Sequence, residues 1–115
     1  MARTARERIQ GDPIGQRLFD DVVGFAATLG SIEVQEKASS FHIAHGRAFL
    51  GIHPRRGGIV VNVVLEHRLD DPRVLRAEQV SARRWHNEVL LTNPDQVDDL
   101  FRSWIGEAFA LTLAA

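Results

Sequence analysis

The chain has 115 residues, 14 basic and 15 acidic, with five His and no Cys. This length supports one domain with a real core, and apolar and charged fractions of 44% and 25% are those of a folded protein rather than a disordered one. The absence of Cys excludes a disulfide scaffold, a Cys-ligated zinc site and a thiol nucleophile. No signal-type apolar segment follows Met1 and no apolar run has spanning length, so the expectation is a cytoplasmic protein with no membrane partner.

Residues 1–11 carry Arg3, Arg6, Glu7 and Arg8 with little apolar content. They read as a flexible leader, or as a short helix that frays, and a basic arm for nucleic acid is the sharper reading. Residues 12–115 then form a single α+β domain. Asp12-Pro13 is a helix start, a capping side chain followed by Pro where no N–H is needed. Ile14, Leu18, Val22, Phe25 and Leu29 follow at spacings of three and four, with Gly30 as the stop. Gly15 and Gly24 weaken this helix by about 1 kcal/mol each, so it must depend on packing, and Gly24 is expected to mark a close approach to the sheet. Ser31 to Ala38 alternates weakly and reads as an edge strand with protective charges.

Ser39 to Leu65 reads as three antiparallel strands joined by two Gly-marked turns. With His45-Gly46 as a two-residue turn, Phe41 faces Leu50 and His42 faces Phe49. One face then collects Phe41, Ile43, Ala48, Leu50 and Ile52. The opposite face carries a patch of Phe49, Val60 and Val64, covered either by a helix, the favoured reading, or by a second subunit in a homodimer. Val74 to Val80 and Trp85 to Leu91 are two further strands, although VLRAEQV also fits two helical turns. Asn93-Pro94-Asp95-Gln96 caps a final amphipathic helix whose apolar stripe runs through Val97, Phe101, Trp104, Ile105, Ala108 and Phe109. The expected fold is therefore α+β: an N-terminal helix, a mostly antiparallel sheet of five or six strands, and a C-terminal amphipathic helix.

Charge is unevenly distributed. Residues 42–87 hold eight Arg against four acids and all five His, whereas residues 88–115 hold five acids against Arg102 alone. Such a segment either is a solvated surface or forms a basic sheet edge for an acidic partner. Arg55-Arg56 at one turn and Arg83-Arg84 at another, with Lys37, His53 and His86 on neighbouring strands, make a composite candidate site for phosphate or carboxylate groups. His42 and His45 point to opposite faces of one strand and cannot share a metal. Ser40 and His42 on one strand are too far apart to act as nucleophile and base, and no phosphate-loop pattern surrounds Gly57-Gly58. No cofactor or metal is expected.

The helix ending FAATLG, Lys37, FHIAHGRAFLGIHPRRGGIVVNVVL, the DDPRV turn and LLTNPDQVDDLFRSWIGEAFAL together resemble the domain of unknown function 5655 family of small bacterial proteins. In architecture the chain also looks like the YjbR-like proteins. The resemblance implies a compact α+β domain, found alone or fused to others, with no established activity. Lys37 matches a basic position expected early in the sheet, and no family role passes to His42. The expectation is a non-catalytic binding or interaction module, for an anionic ligand or nucleic acid held by Lys37, Arg55, Arg56, Arg83 and Arg84. The rival classes are a small enzyme using His42 or His86 as a base and a self-associating module using Phe49, Val60 and Val64.

Overall fold

The computed structural model describes residues 2–113. Where the sequence suggests a leader, residues Ala5–Gln10 form helix α1. The Thr4 hydroxyl accepts from the Glu7 N–H and the Glu7 carboxylate accepts from the Thr4 N–H, a reciprocal cap. Two turns of helix do not hold alone. This one is held because Ala5 and Ile9, four residues apart, enter the main core, and because the Ala5 N–H donates to the Ala38 carbonyl at 2.8 Å.

Helix α2 (Pro13–Leu29) starts at the expected Asp12 cap and buries Leu18, Val22 and Ala26. At Gly30 a Cβ would stand 2.8 Å from the Phe109 ring, so glycine here admits the last helix. Gly24, expected against the sheet, is exposed instead, and a Cβ there would meet nothing within 4 Å.

Six strands follow: β1 (Glu33–Glu36), β2 (Phe41–His45), β3 (Arg47–Arg55), β4 (Gly58–Leu65), β5 (Val74–Ser81) and β6 (Arg84–Leu91). All pairings are antiparallel, in the order β1-β2-β3-β4-β6-β5. The three central strands lie where the sequence places them. Their first register does not. His45 pairs with Arg47 across Gly46, whose φ of +76° suits glycine. Ala44 then pairs with Ala48 and Ile43 with Leu50, leaving Phe49 as the extra residue of a bulge. The bulge turns Phe49 to the helix side, where it is fully buried with its ring edge-on to Phe109 at 5.5 Å. Burying a Phe side chain is worth about 1.5–3 kcal/mol, more than the roughly 1 kcal/mol net of one ladder hydrogen bond. Packing therefore overrides the regular register.

Phe41, Ile43, Leu50, Ile52, Ile59, Val61, Val63, Leu65, Val89 and Leu91 form the inner face of the sheet, packed on residues of all three helices. The alternate residues His42, His53, Val60, Asn62, Val64, His86, Glu88 and Leu90 face the other way. Among the described residues no helix covers them. The expected Phe49, Val60 and Val64 patch thus does not exist as a unit: Phe49 has left it, and Val60, buried, and Val64, half-buried, lie among the side chains of the helix-free face beside Leu90 and His86.

Asn87 is the polar exception on the inner face. Fully buried, it accepts from the Leu69 N–H at 2.9 Å and donates to the His67 carbonyl at 3.1 Å, fastening the β4–β5 loop to the sheet. The loop ends at Arg73, which bonds Asp71 at 2.9 Å, the Gln96 carbonyl at 2.8 Å and Asp98 at 3.2 Å, with its guanidinium 5.0 Å from the Trp104 ring centre. The final helix is consequently split. Asn93 caps only a 3-10 turn (Pro94–Gln96), Val97 leaves helical geometry to bury itself, and Asp98 caps helix α3 (Asp99–Leu111) by accepting from the Phe101 N–H. Among the described residues no helix is long and apolar enough to cross a membrane.

Candidate functional site

The seven side chains of the composite site do not converge. Ile59 pairs with Leu91 and Leu65 with Trp85. The β3–β4 turn with Arg55 and Arg56 therefore lies at one end of the sheet, and the β5–β6 turn with Arg83 and Arg84 lies at the other. Six residue steps of about 3.4 Å separate the ends by about 20 Å. In a simple meander these two turns would share an end; the insertion of β6 between β4 and β5 makes β5 run parallel to β4, so the β4–β5 connection crosses the sheet and the β5–β6 turn falls at the opposite end.

Lys37, in the β1–β2 loop, shares the Arg55–Arg56 end but is two strands away from that turn. His53 and His86 both lie on the open face, in different rows. His53 sits level with Val60 and Leu90, and His86 with Val64 and Glu78. The His53 ring lies over the space at Gly51, its Nε2 3.8 Å from where a Cβ would be. His86 Nε2 is buried with no hydrogen-bond partner among the described residues. Burial, reinforced by the charge of Arg84, holds its pKa below the ordinary histidine value, so the ring is neutral at pH 7.

The structure instead brings Arg3 and Arg8 to Arg55 and Arg56. These four arginines, with Gly11, Asp12, Pro13 and Pro54, line an open cleft of about 440 Å³. The cleft exists because Asp12 does two things at once. One carboxylate oxygen caps α2, accepting from the Ile14 and Gly15 N–H groups at 3.1 and 3.2 Å. The other accepts from the Gly57 N–H at 2.8 Å, and so draws the β3–β4 turn against the α1–α2 junction. Gly57 has φ of +76°, the left-handed conformation that presents its N–H there. These backbone bonds, Gly15's first and then Gly57's, hold the Asp12 carboxyl below the usual carboxylate range. It is an anchored structural anion. Among the described residues, none of Arg3, Arg8, Arg55 and Arg56 has a carboxylate within 4.0 Å.

The opposite end differs. Arg47, Arg83 and Arg84 line a cleft of about 310 Å³ with Glu66 and Leu111. There Arg83 faces Glu66 at 3.5 Å and Arg47 donates to the Leu111 carbonyl at 2.8 Å, so two of the three cations are already engaged.

From the sequence, Arg3 and Arg8 belonged to a leader or a basic arm and were not joined to Arg55 and Arg56. The signal was present in Thr4-x-x-Glu7, a capping box, and in Ala5 and Ile9 at helical spacing, which together mark a docked helix rather than a leader.

Three helices on one face of a six-stranded antiparallel sheet define a two-layer α+β domain. The chain belongs to the family described as Domain of unknown function (DUF5655), whose model matches residues 13–112. The match starts at the first residue of α2, so Arg55 and Arg56 lie inside it and Arg3 and Arg8 outside. No curated protein and no solved structure matches the chain.

Proposed function

We propose that this domain is a non-catalytic binding module for a phosphate-bearing ligand seated among Arg3, Arg8, Arg55 and Arg56. The observation that supports the reading is the gathering of four guanidiniums without carboxylate partners, from segments about 50 residues apart in the chain, around one cleft. Like charges held together are unfavourable until an anion bridges them. A planar guanidinium bonds phosphate oxygens in pairs, so arginine suits this task better than lysine. Asp12 offsets one of the four positive charges, and its oxygens, committed to three backbone N–H groups, leave the guanidiniums free to meet a ligand. Lys37 adds long-range attraction from the same end of the sheet.

The test is fluorescence anisotropy with labelled single-stranded DNA, duplex DNA and RNA at about 50 and 200 mM salt, with inorganic phosphate and a nucleoside triphosphate as competitors. Four neutralised phosphates on a single strand predict a loss of affinity of about 50-fold between the two salt conditions. The double variant R55A/R56A should weaken binding at least about tenfold, and R83A/R84A should change it little. Unchanged binding in R55A/R56A, or no binding of any phosphate compound at low salt, refutes the reading. Displacement by nucleoside triphosphate alone identifies a small ligand rather than a nucleic acid chain.

A further inference from the structure

We propose that the domain pairs with a second copy of itself along the free edge of β5, antiparallel and about a two-fold axis at Ala77. β5 is the last strand of the sheet and is bonded on one side only, to β6. Its outer edge therefore presents alternate backbone N–H and C=O groups to solvent, the arrangement that templates strand addition. It also leaves two large apolar side chains in water, Leu75 at 50% and Val80 at 45% exposure.

The sequence of the edge is a chemical palindrome. In Val74-Leu75-Arg76-Ala77-Glu78-Gln79-Val80, reflection through Ala77 sets Arg against Glu and Val against Val, with Leu75 against Gln79. Antiparallel pairing about that residue sets Arg76 of each copy opposite Glu78 of the other, twice. It places the smallest side chain, Ala77, on the axis, while Leu75 and Val80 stand in the register shifts that flank this regular stretch. Opposite charges directly across a ladder are favourable and like charges are not, so this register is selected over its neighbours. Within one copy, Arg76 already contacts Glu78 and lies 4.0 Å from Glu88. Pairing exchanges these partners without stranding a charge. The contact is isologous and closes at two copies.

The other edge offers no equivalent. β1 has four residues, and full-length antiparallel pairing would set Glu33 against Glu36. Register shifts between Val74 and Arg76 and between Gln79 and Ser81 bound the regular part of β5, so the shared ladder is short and the association is reversible. In the pair, two six-stranded sheets become one, with both open faces on the same side. The residues of the arginine cleft lie on other elements and take no part in this contact.

Sedimentation of the full chain from about 10 to 500 μM tests it. The mass-average value should rise from 12.8 kDa towards twice that figure. R76E and E78R, each confirmed folded by circular dichroism, should stay monomeric alone, because each sets like charges across the axis. Mixed in equal amounts they should pair, because opposite charges then face each other at both positions. A wild-type chain that stays monomeric throughout, self-association unaffected by R76E, or a mixture of folded variants that fails to pair overturns the proposal.

Discussion

Arg73 joins the β4–β5 loop, the 3-10 turn and the start of α3, and its removal can be worked through. Its side chain is 13% exposed and serves Asp71 in its own loop, the Gln96 carbonyl in the 3-10 turn, Asp98 at the cap of α3, and the Trp104 ring. Arg73→Ala deletes charge-assisted bonds worth about 1.5–3 kcal/mol as a set and a cation–π contact of about 0.5–2 kcal/mol. It also leaves Asp71, 14% exposed, without its partner, whereas Asp98, 46% exposed, is rescued in part by water. The expected loss is about 3–4 kcal/mol, a large share of the total stability of a domain this size. With a urea slope of about 1.5 kcal/mol per molar, the midpoint falls by about 2 M. Asp71 and Asp98 have carboxyls lowered below their ordinary value, Asp71 chiefly by the Arg73 side chain and Asp98 chiefly by the Phe101 N–H with Arg73 adding to it. A lowered folded pKa gives stability that is present above the ordinary carboxylate value and lost as pH falls through the folded one. The penalty of the substitution is therefore full at pH 7 and smaller near pH 2. Urea unfolding followed by tryptophan fluorescence at both pH values measures it. A midpoint shift under about 0.5 M at pH 7, or an equal shift at both, refutes this role for Arg73.

Three further outcomes follow from the packing. Asn87→Ala strands the buried Leu69 N–H and should cost about 2–3 kcal/mol; chemical denaturation checks it, and a loss below about 1 kcal/mol contradicts the tether. Gly24→Ala places a methyl where nothing lies within 4 Å, and should raise stability by about 0.5–1 kcal/mol through helix propensity, visible as a higher melting temperature. His67 bonds the Arg68 carbonyl and, at 2.6 Å, Glu107 of α3; the carbonyl first and then Glu107 raise its pKa. Its stabilisation is thus complete below the ordinary histidine value of 6.5 and lost as pH rises through the raised folded value. Because the ring is half exposed, the effect is about a few tenths of a kcal/mol, and it should shrink, with the Arg68 carbonyl's share remaining, in the stability–pH curve of Glu107→Gln.

Much of the fold was legible. Alternation in Phe41–Ile43 and Ile59–Leu65, the Asp12-Pro13 start and the apolar stripe of α3 each depend on local chemistry, and each locates its element within a few residues. What was not legible depended on partners distant in sequence. Phe49 looks like the outer member of a regular strand until Phe109 is placed beneath it. The second cap at Asp98 is visible as an Asp pair, but the need to break the helix at Val97 comes from Arg73, 24 residues earlier. For the candidate site, Arg55 and Arg56 were readable as a paired basic turn. Their companions were misassigned because doublets at two turns cannot be placed at the same end without the strand order. Arg3 and Arg8 became site residues only through the bond from the Gly57 N–H to Asp12.

The outermost position of β5 has a consequence for motion. Every other strand except β1 is held on both sides, and most are pressed by helices from above. β5 is joined to the sheet through β6 alone and leaves most of its side chains in water. Its amides should therefore exchange with solvent deuterium through local opening rather than global unfolding, with protection well below that of β3 and β4. That margin is where the molecule has conformational freedom to spend, and a strand that opens most readily is also the one most available to be completed by something outside the domain.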